Sequence, residues 1–242
     1  MIAQVLRGAG FALGGFGWLR RPGLRRYLLV PLLVNLLVFG AAATYSLTRL
    51  GDWLETLLPA SLGWLWWVLL PLAAIVLLVV VYFTFTMVAN LLASPFNDRL
   101  AERVADRLGH RIDETQRAGA WAGQILKATL GELRKWLYFA FLALLALACW
   151  LFPPTTLLAP WVWLLVGVWI FAFEYLDYPL GNAGLGFGGK HRWIREHRWY
   201  ALGFGGTLTV MTLIPVVNFA VMPAAVCGAT ELWVYCERRE RA

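Results

Sequence analysis

The run LGWLWWVLLPLAAIVLLVVVYFTFTMVANLLA, residues 62–93, contains no charged side chain and decides how this chain folds. About 20 apolar residues suffice for a helix to cross a bilayer, so this run predicts a tilted helix or one that extends beyond the membrane. Residues 28–45 form a second uncharged run, long enough for another crossing. Together the two runs predict an all-α integral membrane protein with long transmembrane helices at about 28–48 and 62–93.

Composition supports the same class. Of the 242 residues, 60% are hydrophobic and only 14% are charged, whereas soluble domains carry about 25% charged residues. The net charge of +7 comes from basic residues that flank the apolar segments. That distribution follows the positive-inside rule, and no basic stripe with interleaved aromatic side chains is present, so nucleic acid is not an expected partner.

The remaining apolar segments are shorter or interrupted. Residues 2–18 contain several glycines and predict an interfacial or bundle-packed helix, with Gly10 and Gly14 allowing close helix approach. Two shorter helical hairpins are predicted at about 137–173 and 201–236, each penetrating the membrane partway. The first turns at a Pro-Pro pair, and the second is interrupted by Pro215, Asn218 and Pro223.

The polar region that follows the second long run begins at Ser94 and Pro95, which are typical of a helix N-cap and first position. We therefore expect the chain to restart there as an amphipathic helix that leaves the membrane, so that the span at 62–93 continues as a cytoplasmic helix. The basic regions lie on one side if an even number of crossings separates them. Two topologies satisfy that condition: two spans with two hairpins, or six spans. In either case we expect a single helical membrane domain, residues 1–242.

Motifs for enzymatic chemistry are weak. The segment GLGFGGK, residues 184–190, resembles nucleotide-binding fingerprints, but no strand precedes it and His191 follows the lysine where a P-loop has Ser or Thr. It predicts a flexible glycine connector. The three cysteines form no disulfide or zinc framework, and the three histidines have no metal-ligand spacing. We expect no cofactor, no metal and no enzymatic activity.

Glu174 and Asp177 end an apolar segment, and carboxylates at a membrane boundary usually pair with a cation or face water. One interpretation is an interfacial salt bridge. The other is a charged gating network with nearby arginines.

The sequence RRPGLRR, residues 20–26, places four arginines around a Pro-Gly turn just before the first long run. Arginines here can anchor topology by contacting anionic lipid. They can also bind an anion, because glycine lets an anion approach the backbone and the next N–H groups lack helical partners. Residue chemistry alone favours the anchor and leaves the anion site open.

Several blocks in order along the chain resemble the CysZ family of bacterial sulfate transporters. They are residues 21–26 (RPGLRR), 29–35 (LVPLLVN), 93–102 (ASPFNDRLAE), 175–179 (YLDYP), 214–218 (IPVVN) and 222–230 (MPAAVCGAT).

The resemblance implies sulfate uptake across the bacterial inner membrane for cysteine biosynthesis. It also implies a multi-pass homo-oligomer among membrane lipids, with two long spans and two shorter helical pairs. It assigns sulfate binding to Gly23, Leu24 and Arg25, with Arg26 adjacent. Weaker candidates for a polar path or gate are Asn97, Glu102, Arg103, Glu174 and Asp177. The alternative function is a membrane scaffold or assembly protein whose arginines bind anionic lipid.

Overall fold

The computed structural model describes residues 1–57, 65–110 and 121–241, and every regular element in these ranges is a helix. The predicted all-α class is therefore confirmed. A short 3₁₀ helix, Pro153–Leu158, joins α4 to α5. The α-helices of the described ranges are α1 (Ile2–Leu19), α2 (Arg26–Leu57), α3 (Trp66–Arg107), α4 (Trp121–Leu151), α5 (Ala159–Asn182), α6 (Phe187–Glu196), α7 (Arg198–Thr212) and α8 (Pro215–Arg241).

The chain divides into two compact units. One consists of Met1–Arg25 with Asn97–Ala242, and the other of Arg26–Phe96. The second unit holds the two predicted long spans, where the apolar helical stretches Leu36–Leu50 and Trp66–Val80 lie. Residues 62–64 of the longer predicted span fall outside the described residues.

Among the described residues of the first unit, two stretches are long and apolar enough to cross a membrane, Leu130–Leu151 and Pro153–Asn182. Only 17% and 22% of their apolar windows are buried within the protein. Core helices of soluble proteins bury most of such a surface, so this exposure fits contact with lipid. The two helices pack against each other on either side of the predicted Pro-Pro turn. Their depth in the membrane stays a prediction.

Proline positions correct two of the expected breaks. Helix α3 runs through Pro95 without interruption, so the chain does not restart as a new helix at Ser94. Helix α8 begins at Pro215, as expected, but then continues through Asn218 and Pro223. Proline already holds a helical φ, and losing one backbone hydrogen bond is tolerated when the neighbouring turns are well packed. The interruption is thus confined to the residues around 213–214.

The predicted glycine connector is also shorter than expected. Residues 183–186 alone separate α5 from α6, and Gly188, Gly189 and Lys190 lie in the first turns of α6. Backbone hydrogen bonds from Ala183 to Pro179 and from Leu185 to Leu180 close the end of α5. The chain therefore reverses in a compact turn, which places Lys190 back against α5.

Helix α1 packs against α7 and α8 through backbone contacts that only glycine permits. A Cβ on Gly8 would overlap the carbonyl oxygen of Tyr200 in α7, and a Cβ on Gly15 would overlap that of Ala224 in α8. Glycines on the partner helices do the same, since a Cβ on Gly203 or Gly228 would overlap a carbonyl oxygen of α1. Small residues let helix backbones approach this closely. Helix α1 is thus packed within the bundle, and its predicted place at the membrane interface stays a prediction.

The glycines that make these contacts differ from those predicted. A Cβ on Gly10 would meet no atom within 4 Å among the described residues, and one on Gly14 would lie 3.7 Å from Glu231 Oε2. Gly8 and Gly15 are seven residues apart and share one helix face, whereas Gly10 points away from it. The predicted pair, Gly10 and Gly14, therefore lies on the helix that packs closely, but on the wrong face of it.

Gly15→Ala is expected to lower the stability of the purified protein by about 1–3 kcal/mol, because the added methyl group forces α1 away from α8. Thermal unfolding in detergent, followed by circular dichroism, measures this loss. Gly10→Ala is the matched control in the same helix and should leave the melting temperature unchanged or raise it, since alanine favours helix. Equal destabilisation by both substitutions would contradict the assignment of the packing face.

Candidate functional site

The Pro-Gly turn that follows α1 occupies residues 20–25. The Arg21 N–H donates to Trp18 O at 3.0 Å and closes the end of α1. Gly23 has φ +84°, a left-handed conformation that side-chain-bearing residues rarely adopt. Leu24 is 1% exposed and anchors the turn in the first unit. The turn is therefore fixed on its apolar side while its arginines stay at the surface.

Some backbone N–H groups of this turn are available to donate to an anion. Among the described residues, the N–H groups of Gly23 and Arg25 make no backbone hydrogen bond. The Leu24 N–H donates to Arg21 O, but the bond is long at 3.3 Å. Helix α2 begins at Arg26, and the first N–H groups of a helix have no intrahelical acceptor. The segment thus offers several donors to an anion, of which that of Leu24 is already weakly engaged.

The arginines of the segment are exposed and carry uncompensated charge. The Arg25 guanidinium donates to Arg20 O through Nε at 3.2 Å and Nη2 at 3.0 Å. The Arg21 guanidinium lies 3.7 Å from the ring centroid of Trp18, a cation–π contact. Within the described part of the chain, none of Arg20, Arg21, Arg25 and Arg26 pairs with a carboxylate. Such arginines keep their full attraction for an anion.

Arg107, which the sequence analysis did not identify, also contacts this turn. Its Nη2 donates to Pro22 O at 2.7 Å and would lie 3.4 Å from a Cβ on Gly23. The contact braces the turn and adds a further guanidinium beside Gly23. Arg99, Arg103 and Arg107 recur at four-residue spacing on α3, a pattern that indicates one basic helix face but gives no hint of the turn 85 residues earlier.

Glu174 and Asp177 belong to a cluster of charges that joins α4, α5 and α6. The buried Lys135 Nζ lies 2.9 Å from Glu132 Oε2, 3.6 Å from Glu174 Oε2 and 3.3 Å from Asp177 Oδ2. Asp177 also accepts from Lys190 Nζ at 2.6 Å through Oδ1. The partners are lysines, so the predicted network with arginines is wrong in its cations. The geometry matches the simpler interpretation, a set of salt bridges.

The other three candidates for a polar path lie on the part of α3 that belongs to the first unit. Asn97 is buried, and its Nδ2 donates to the Tyr178 hydroxyl at 3.4 Å, next to Asp177. Glu102 is half-buried, and Arg103 is exposed. The structure thus brings Asn97 close to the lysine–carboxylate cluster.

No group of three or more His, Cys, Asp or Glu side chains in the described ranges is placed to hold a metal ion.

Known proteins resemble this chain over nearly its whole length. The family model described as sulfate transporter CysZ/etoposide-induced protein 2.4 matches residues 11–223. A protein named sulfate transporter CysZ from Pseudomonas paraeruginosa is 40% identical over 234 residues, covering 95% of each chain. Proteins of the same name from Vibrio cholerae and Pectobacterium atrosepticum are 37% and 32% identical, covering 96% and 94% of this chain and 95% and 84% of their own.

Asp177→Asn is expected to destabilise the protein by about 3 kcal/mol, because it leaves Lys135 and Lys190 without their shared carboxylate in a largely buried site. The melting temperature in detergent should fall by roughly 6–12 °C.

Asp52→Asn is the control for this substitution. It breaks the ion pair between Arg49 and Asp52, whose side chains are 58% and 67% exposed. Exposed ion pairs contribute about 0–1 kcal/mol to the stability of the folded state. A melting temperature of Asp177→Asn within 2 °C of the control would contradict the structural role of the cluster.

Proposed function

The chain belongs to the sulfate transporter CysZ/etoposide-induced protein 2.4 family, and from that premise we propose that it takes up sulfate across the bacterial inner membrane. The observation that carries the proposal is the near-complete alignment with relatives named sulfate transporters. The protein is a helical membrane protein by its family and its apolar helices. Multi-pass topology and supply of sulfate to cysteine biosynthesis complete the proposed function.

Sulfate binding is proposed at the Pro-Gly turn, with Gly23, Leu24, Arg25 and Arg26 as the binding residues. Free N–H groups and unpaired guanidiniums are the donors that a tetrahedral oxyanion recognises. The left-handed φ of Gly23 keeps side-chain atoms away from the backbone, so an anion can approach it closely. Leu24 contributes mainly by burying its side chain, since its N–H already donates to Arg21.

A polar path or gate is proposed at Asn97, Glu102, Arg103, Glu174 and Asp177. Carboxylates carry the same sign of charge as sulfate, so they cannot themselves bind it. Asp177 instead holds Lys135 and Lys190, and an arriving dianion would compete with it for those two cations. The gate would open when sulfate replaces the carboxylate as their partner.

Electrostatics limits the direction of transport. Moving one charge across 100 mV involves about 2.3 kcal/mol, so a dianion entering a negative-inside cell works against roughly 4.6 kcal/mol. A channel-like pathway therefore needs consumption of sulfate inside the cell, and concentrative uptake needs a coupled ion. Both forms are compatible with the proposal.

The proposed partners of the protein in the membrane are lipids and further copies of the same chain. Large apolar side chains of α4 and α5, among them Trp161 and Leu165, are exposed and suit either contact. The scaffold alternative has no comparable support, because the relatives described above are named transporters.

Arg25→Ala is expected to weaken sulfate binding by about 10–100-fold, since hydrogen bonds to a charged group contribute about 1.5–3 kcal/mol. Equilibrium binding of radiolabelled sulfate, with chloride as competitor, measures the affinity. Uptake of the same label into proteoliposomes measures transport.

Arg241→Ala, at an exposed arginine near the C-terminus, is the control and should bind and transport as the wild type does. Equal sulfate binding by wild type and Arg25→Ala would overturn the site assignment. Proteoliposomes that take up no sulfate would overturn the transport proposal itself and favour the scaffold.

Arg107→Gln is expected to weaken sulfate binding by about fivefold while leaving the melting temperature nearly unchanged, because it removes one charge-assisted hydrogen bond that braces the turn. Arg99→Gln is the control two helical turns earlier on α3. The same binding assay compares them, and matching affinities of the two variants would rule out a positioning role for Arg107.

A further inference from the structure

A second basic site lies at the junction of α6 and α7, formed by residues other than those of the Pro-Gly turn. A cavity of about 770 Å³ opens there, and we refer to it as the α6–α7 cavity. Its polar lining includes Gln4 from the first turn of α1, His191, Arg192, Arg195, Arg198 and Trp199. Ligand pockets are typically about 300–1,000 Å³, so this space fits a small organic molecule.

Positive charge dominates the α6–α7 cavity. Arg192, Arg195 and Arg198 line it, against the single carboxylate of Glu196. In the part of the chain that the structure describes, none of the three guanidiniums makes an ion pair or a hydrogen bond to a carboxylate. Arg192 and Arg195 lie on α6 and Arg198 begins α7, so both helices contribute positive charge to the cavity.

His191 also lines the α6–α7 cavity. Its Nδ1 is inaccessible to solvent and has no hydrogen-bond partner among the described residues. Its ring packs against that of Tyr138, with centroids 4.8 Å apart. Burial and the neighbouring Arg195 lower the pKa of His191, which disfavours the charged form of the ring. The charge of the cavity therefore comes from the arginines.

We propose that the α6–α7 cavity binds a phosphate ester through Arg192, Arg195 and Arg198. Guanidinium groups recognise phosphate oxygens in a bidentate manner. A bare oxyanion would fill only a small part of the cavity, so the phosphate is attached to a larger organic group, which Trp199 can contact. A phospholipid headgroup and a soluble phosphomonoester share this chemistry, and α6 directly follows the apolar stretch Pro153–Asn182.

The test uses the full-length purified protein with two probes. Glycerol 3-phosphate is titrated by calorimetry to represent soluble esters. Retention of phosphatidylglycerol over phosphatidylcholine, counted by native mass spectrometry, represents lipid headgroups. Saturable binding of either probe, weakened about tenfold in Arg195→Gln and abolished in the triple variant R192Q/R195Q/R198Q, supports the proposal. The probe that binds identifies the source of the phosphate.

Arg134→Gln, at an exposed arginine of α4, is the matched control and should bind as the wild type does. Arg25→Ala separates the two sites, because it should weaken sulfate binding while leaving the phosphate probes unaffected. If Arg25→Ala weakens the probes as much as Arg195→Gln, the cavity is not the site. Equal binding by wild type and Arg195→Gln, or no binding of either probe, would also overturn the proposal. Arg195→Gln alone decides the matter if the triple variant does not fold.

Discussion

Backbone-to-backbone contact between α1 and its partners α7 and α8 holds the first unit together. Gly8, Gly15, Gly203 and Gly228 remove the side chains that would keep these helices apart. With α1 fixed, Trp18 lies near its end and donates from Nε1 to Glu231 at 2.7 Å in α8. Arg21 in turn stacks on Trp18. The geometry of the Pro-Gly turn thus depends on contacts made as far back in the chain as Gly8.

Lysines and arginines serve different purposes in the first unit. Lys135 and Lys190 are largely buried, and both share Asp177, because a buried ammonium group without a counter-charge would be strongly unfavourable. The arginines of the Pro-Gly turn and of the α6–α7 cavity remain at the surface, where solvation offsets the absence of carboxylates. The two lysines are therefore paired with a carboxylate in this structure, whereas the arginines of the two basic sites are not.

Sequence patterns were sufficient for properties that depend on local composition. The long uncharged runs and the small charged fraction predicted a helical membrane protein, and blocks such as RPGLRR indicated the family. Patterns failed where tertiary packing decides. Pro95 and Pro223 lie within continuous helices, although a proline in the sequence normally indicates a helix break. Lys135 could not be matched to Asp177, nor Arg107 to Pro22, because these pairs are 42 and 85 residues apart. Periodicity along one helix carries no information about such separations.

The hydrogen bonds from Arg25 to Arg20 O have a consequence for the cost of binding. A long exposed side chain normally loses about 0.5–1.5 kcal/mol of rotational freedom when a ligand immobilises it. The guanidinium of Arg25 is already held through Nε and Nη2 by a carbonyl two residues before Pro22. The side chain of Arg25 is therefore already restricted by folding of the turn, before any anion binds. At the sulfate site proposed above, Arg25 is therefore a preorganised donor, and preorganisation strengthens binding.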